Sequence, residues 1–335
     1  MLKQNKLRIE QIVDGFWRLI LPLPFLLTHV NLWLIEEDDG WTAVDTGFGD
    51  QTTEQLWEEL FQGLLADKPL KRIILTHYHI DHCALAGWLS EKSGAEVIMT
   101  KAEAAVLRII EEPKGFMHKA ERTAFYQQHG LAMEEIGDAD FFFEQIPVSF
   151  SGVPGSMKYV ADGDKLQMGS HLWEVLILRG HSPGHLTLYC EALGIWISGD
   201  HVLPTISPII SVEPDVPDDD PLTDFLATFQ RLRQLPENTR VLPSHGNVFV
   251  GLHTRLDELQ KHHDQRLEEV LQNCCTLTTA AELTRIMFPA ANEQQSLWMA
   301  VSEVQAHLNL LMYRGSVSRQ SDSTGIVRYV STLSD

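Results

Sequence analysis

Residues 72–82 read Arg72-Ile73-Ile74-Leu75-Thr76-His77-Tyr78-His79-Ile80-Asp81-His82, and this stretch decides the fold. The short apolar run Ile73-Ile74-Leu75 is the pattern of a strand buried on both faces, as in a sheet with helices packed against it. Three histidines and one aspartate follow within residues 77–82. The end of a buried strand thus delivers four ligand-type side chains to one place. Imidazole and carboxylate suit Zn²⁺, Fe²⁺ or Mn²⁺, and the spacing lets His77 and His79 grip one ion while Asp81 and His82 reach a neighbour.

Upstream, Phe16–Leu21, Val30–Glu36 and Trp41–Asp45 read as strands. The acidic turn Glu37-Asp38-Asp39-Gly40 separates the last two. The uncharged run Leu19–Ile35 contains Pro22, Pro24, Thr28, His29 and Asn31. It is two strands around a Pro-Leu-Pro turn, since a membrane span needs about 20 apolar residues. Residues 52–65 carry Leu56, Leu60 and Leu64 at helical spacing. Downstream, 82–90 reads as helix and 96–99 as strand. A helical insertion over about 101–145 follows, with Phe116, Met117, Phe125, Tyr126 and Phe141-Phe142-Phe143 among its apolar residues. Strands return at 165–168, 173–178, 187–190 and 195–198, and then come a helix at 222–233, a short strand at Val241-Leu242 and a long polar helix at 254–272. Strands alternating with helices, with hairpins among them, predict a mixed α/β sandwich to about residue 250.

Four more segments place a His or Asp in a Gly/Pro turn beside a strand pattern: Val44-Asp45-Thr46-Gly47, Gly180-His181-Ser182-Pro183-Gly184-His185, Ser198-Gly199-Asp200-His201 and Pro243-Ser244-His245-Gly246. With residues 76–82 they resemble, in order, the motifs of the metallo-β-lactamase superfamily over about residues 10–250. The resemblance implies a four-layered αββα sandwich with a dinuclear metal site along one edge. It implies that His77, His79 and His185 hold one divalent ion, that Asp81, His82 and His245 hold the second, and that Asp200 bridges them. Asp45 becomes an outer carboxylate fixing the metal loop, and His181 and His201 take structural places. Two such ions, zinc with iron or manganese as alternatives, generate a hydroxide from a shared water, and Asp81 orients it and takes up its proton.

Residues 279–287 and 296–314 read as helices, and 316–319 and 326–330 flank a Ser/Asp/Thr/Gly turn. This is the order of a small winged-helix module. The division is therefore a catalytic domain over 1–252 and a linking helix with a winged-helix-like tail over 253–335. Only 44 residues separate Asp200 from His245, too few for the inserted domain of the large RNA-processing nucleases. The glyoxalase II-like hydrolases with such a tail remain as the branch the chain resembles.

Lys and Arg number 26 against 46 Asp and Glu, a formal charge of −20. That excludes a non-specific nucleic-acid binder and disfavours anionic membranes. From Cys274 onward Arg285, Arg314, Arg319 and Arg328 face five acidic residues, with no lysine. The second tail helix, with Leu297, Trp298, Val301, Val304, Leu308 and Leu311, reads as a packing or homodimer surface rather than a phosphate-facing one. The four cysteines form no CxxC pair, and a reducing, cytoplasmic setting is expected. The expected reaction is hydrolysis of a small ester-type substrate, a thioester or lactone of an apolar acyl compound, with His29, Phe116, Met117 and Phe141 lining its pocket. The alternatives are a metal-dependent endoribonuclease on single-stranded RNA and a winged-helix regulator with a vestigial hydrolase fold.

Overall fold

The computed structural model describes residues 7–24, 27–111, 119–137, 150–293 and 296–333. Its first sheet runs in sequence order through β1 (Arg8–Val13), β2 (Phe16–Pro22), β3 (His29–Glu37), β4 (Gly40–Val44), β5 (Leu70–Ile74), β6 (Glu96–Thr100) and β7 (Met157–Val160). β1 to β4 pair antiparallel and β4 to β7 pair parallel. Parallel neighbours need crossovers, supplied by α1 (Gln51–Gln62), by α2 (Ile80–Cys83) with α3 (Ala86–Ser93), and by α4 (Lys101–Glu111) and α5 (Lys119–Gln128). The second sheet holds β8 (Lys165–Met168), β9 (His171–Leu178), β10 (His185–Cys190), β11 (Ile195–Gly199) and β12 (Arg240–Pro243). It is antiparallel as far as β11 and parallel from β11 to β12, across α6 (Pro221–Leu232).

Side chains alternate faces along a strand, and the alternation builds the layers. Leu32, Leu34, Ile73 and Val97 pack outward against Leu56, Trp57, Leu89 and Leu107 of the helices. Trp33, Ile35, Ile74 and Ile98 pack inward against Trp173, Val175, Leu186, Leu188 and Ile197 of the second sheet. On the far side Leu176, Leu178, Trp196 and Val241 meet Phe225 and Phe229 of α6 and Leu256 and Leu259 of α7 (Leu252–Asn273). The result is the expected αββα sandwich.

The tail follows as α8 (Ala280–Met287), α9 (Pro289–Glu293), α10 (Leu297–Tyr313) and the hairpin β13 (Val317–Ser321) with β14 (Val327–Ser331). Thr279 and Glu282 form a capping box at the start of α8. α10 is buried on nearly every side, polar Gln305, His307 and Asn309 included, and joins one core with α6 and α7. The apolar face that suggested a dimer is therefore used within the chain. No helix among the described residues is long and apolar enough to cross a membrane.

One local reading changes. The helix expected over 82–90 breaks between α2 and α3. There the His82 carbonyl accepts from Thr46 N and Thr46 Oγ1 at 2.7 and 2.9 Å, and the Ala84 carbonyl accepts from Ser151 N at 2.8 Å, so neither continues the helical ladder. The insertion divides: Ala104, Leu107 and Ile110 of α4 pack on the first sheet, while α5 and the residues after it pack on the tail. Tyr126 stacks edge-on to Trp298 at 6.3 Å, Ala281 N donates to His129 O at 3.0 Å, and Glu135 pairs with Arg285 at 2.6 Å. Phe125 is a buried member of that core. Phe116, Met117 and Phe141-Phe142-Phe143 lie outside the described residues.

Candidate metal centre

In both sheets the parallel strands end at the same edge, the place where α/β sheets bind ligands. Asp45 follows β4, His77 follows β5 after two residues, Asp200 follows β11, and His245 follows β12 after Ser244. The α2 turn adds His79, Asp81 and His82, and the turn before β10 adds His181.

Among the described residues, ligand atoms gather in three overlapping groups, each within 4.8 Å: His77, His79 and His181; His77, His82 and Asp200; Asp81, His82 and His245. His77 Nε2 lies 2.9 Å from His79 Nδ1 and 3.3 Å from His181 Nε2. Asp81 Oδ2 is 3.3 Å from His245 Nε2 and 3.5 Å from His82 Nε2. Asp200 Oδ2 reaches His245 Nε2 at 3.3 Å, His82 Nε2 at 3.6 Å and His181 Nε2 at 3.7 Å, so one carboxylate faces both ends of the cluster.

The outer nitrogens of four rings are tied down. His82 Nδ1 meets Asp45 Oδ2 at 2.9 Å, His181 Nδ1 meets Ile209 O at 2.8 Å, His245 Nδ1 meets His29 O at 2.9 Å, and His77 Nδ1 meets Thr76 Oγ1 at 3.0 Å. With Nδ1–H donating outward, Nε2 is the ring atom that faces inward, which is how metal-binding histidines are oriented. Asp45 accepts from Thr76 N at 2.8 Å and from Thr76 Oγ1 as well as holding His82, and it does so from a left-handed backbone at φ 65°.

His185 is a correction to the expected set. Its Nε2 accepts the Asp200 backbone N–H at 3.1 Å, and its ring lies beneath Gly199, where an added Cβ would meet His185 Cε1 at 2.2 Å. The ring supports the Asp200 turn, whereas His181, read as structural, joins the cluster. His29 contributes its carbonyl to His245, and its half-buried ring lies beside Arg18 and His245. Buried Asn31 donates to Pro243 O at 2.8 Å and Gly246 O at 2.9 Å, fixing the His245 turn. His201 meets Thr228 Oγ1 at 2.8 Å, away from the cluster.

Sequence reading missed Glu103. It is fully buried in the first turn of α4 and accepts from Tyr78 N at 3.0 Å, Ser182 Oγ at 2.7 Å and Gly184 N at 2.6 Å. Burial pushes its carboxyl up to about 7 against those hydrogen bonds. No local pattern marks it, because its partners lie 25 to 81 residues away.

Burial holds His77, His79 and His181 below the usual imidazole range, His79 to about 3, so these rings are neutral and offer lone pairs. At the other end burial again opposes charge, but the Asp81 and Asp200 carboxylates outweigh it. His82 is raised well above the usual range and His245 to about 10. Those carboxylates are held low by the same two imidazoles, against their own burial. This end thus draws positive charge. His82 Nε2, His245 Nε2 and Asp200 Oδ1 are buried without a hydrogen-bond partner, and divalent ions would satisfy the orphaned atoms and the charge together. The donor set fits such ions.

Fold and site define a metal-dependent hydrolase of the αββα class. Residues 27–245 match the metallo-beta-lactamase superfamily and residues 267–332 the metallo-beta-lactamase-like C-terminal domain, so the chain belongs to the metallo-β-lactamase superfamily. It is 27% identical over 301 residues to the probable metallo-hydrolase YqjP of Bacillus subtilis (strain 168), covering 87% of this chain and 90% of the relative. It is 23% identical over 228 residues to a hydroxyacylglutathione hydrolase of Rhodobacter capsulatus, covering 68% of this chain and 65% of that one. A solved beta-lactamase domain protein from Burkholderia ambifaria superposes with a TM-score of 0.88 at 34% identity, over 97% of this chain and 94% of the other.

Proposed function

We propose that the chain hydrolyses a thioester or lactone of an apolar acyl compound with two divalent ions. His77, His79 and His181 would hold one ion and Asp81, His82 and His245 the other, with Asp200 shared between them. The observation that carries this reading is the position of Asp200 Oδ2, within 3.3–3.7 Å of His245, His82 and His181. Zinc suits the imidazole-rich set, and iron or manganese suits it too.

Bound ions of this kind supply an activated water near neutral pH and polarise the bond to be cut. The chain's own groups do the rest. Asp81, 18% exposed, stands at the open side of the cluster. Its Oδ2, 3.3 Å from His245 Nε2 and 3.5 Å from His82 Nε2, would orient the attacking water and accept its proton. Asp45 and the His29 carbonyl keep His82 and His245 from rotating.

Exposed Leu27, Ile206 and Ile209 all lie within three residues of the carbonyls that hold His181 and His245. They supply apolar surface for an acyl chain. The charge of −20 opposes a polyanion such as RNA. The hydroxyacylglutathione hydrolase relative, whose name describes cleavage of an S-acyl ester, supports the same bond class.

A panel of acyl-CoA, lactone, phosphodiester and single-stranded RNA substrates, run with and without chelator, tests the reading. Chelator-sensitive cleavage of acyl thioesters or lactones is expected, with two ions per chain by elemental analysis. RNA cleaved faster than every acyl ester would overturn it in favour of an endoribonuclease.

A further inference from the structure

Glu103 is a buried acid that the reaction itself does not use. No Lys or Arg pairs with it among the described residues, and its three hydrogen bonds go to two different turns. One is the turn carrying His77 and His79, reached through Tyr78 N. The other carries His181, reached through Ser182 Oγ and Gly184 N. We propose that Glu103 is a positioning residue that locks these two turns in register, so that the imidazoles of His77, His79 and His181 converge on one ion. The inference rests on the two-ion reading above.

Burying a carboxylate costs several kcal/mol unless hydrogen bonds replace its water. An apolar residue would pack there more cheaply if packing were the only requirement. The cost is offset by three donors and by the first turn of α4, whose N-terminal end favours negative charge. The docking is close on the other side as well. Thr100 Oγ1 donates to Gly184 O at 2.8 Å, and a Cβ on Gly184 would meet Ala102 Cβ at 2.9 Å, so this turn admits only glycine against α4. The Asp81, His82 and His245 end is held by other means, through Asp45, Thr46 and the His29 carbonyl. Losing Glu103 should therefore weaken one ion and spare the other.

Glutamine is the discriminating replacement. Its carbonyl oxygen can accept from Ser182 and Gly184, but its NH₂ group then faces the Tyr78 N–H, donor against donor. The volume stays and the tie between the turns is cut. Metal-loaded wild type, Glu103→Gln and Ser182→Ala would be titrated with a chromophoric chelator, with ions per chain followed by elemental analysis. His181→Ala and His245→Ala identify which ion is which.

Glu103→Gln should raise the dissociation constant of the His181-dependent ion about 10- to 100-fold and leave the His245-dependent ion unchanged, in the range seen for outer groups of metal sites. Ser182→Ala should shift the same ion in the same direction by less. Equal retention of both ions in Glu103→Gln overturns the proposal, as does equal loss of both. If Glu103→Gln does not fold, Ser182→Ala decides alone, and wild-type affinity for the His181-dependent ion overturns it. A wild-type chain holding a single ion refutes the two-ion reading separately. Glu103 is then judged on that ion, with weakening supporting the proposal and no change overturning it.

Discussion

His181 and His185 are four residues apart in one turn and face different partners. His181 Nδ1 is tied to Ile209 O and its Nε2 looks into the cluster, while His185 Nε2 is spent on the Asp200 N–H. His181→Ala should remove one ion per chain by elemental analysis. His185→Ala should keep both ions but leave the Asp200 amide unpaired, a loss of about 1–3 kcal/mol measurable in urea. Asp45 was legible because it sits in a Gly-bounded turn after a strand. It accepts from two donors on Thr76 and holds His82, so an amide there must turn a donor toward one of them. Asp45→Asn should weaken metal binding about 10- to 100-fold, read by chelator competition.

At the scale of elements, the tail helix α10 reads from its sequence as a generic apolar helix, yet polar residues run through it. His129 Nδ1 lies 3.4 Å from Tyr329 Oη, Tyr329 donates to Gln305 Oε1 at 3.0 Å, and Gln305 Nε2 donates to Asn309 Oδ1 at 2.7 Å. Asn309 Nδ2 then donates to Pro217 O at 2.9 Å and Asp219 O at 2.7 Å. This buried chain ties the insertion, the hairpin and the loop after Ile209 together. Asn309→Ala strips partners from Gln305 and both carbonyls, and a loss of about 2 kcal/mol or more in denaturant is expected.

His129 also sets a pH response. Burial, then Arg319, holds its imidazole down to about 4. The unfolded imidazole titrates near 6.5, so between pH 6.5 and about 4 the unfolded chain binds the extra proton and stability falls as pH drops. His129→Gln removes that site. The difference in urea midpoint between variant and wild type should move in the variant's favour across that window, by up to about 3 kcal/mol in stability. A difference that stays constant with pH would refute it.

At the scale of the whole molecule, both sheets combine antiparallel hairpins with a parallel crossover, and stacking them brings the ligand turns to one edge. Metal binding is then linked to folding, because donors from both sheets meet only in the native state. Chelator should lower the melting temperature, and restoring the ion should raise it again. An unchanged transition would mean that the cluster holds no ion.

The sequence by itself determined which turns carry ligand-type side chains, their order along the chain, and the layers. Each ligand turn is local, and strand alternation is written residue by residue in segments such as Leu32-Trp33-Leu34-Ile35. Edge strands were less legible: β1, with alternating charge, and the four-residue β7 carry weak patterns. Tertiary structure alone decided which histidine of the 181–185 turn faces the centre, that Glu103 joins two turns, and that α10 is enclosed. Those outcomes depend on which surface docks against a turn or a helix. That choice is made by contacts between residues far apart in the chain, so no local pattern records it.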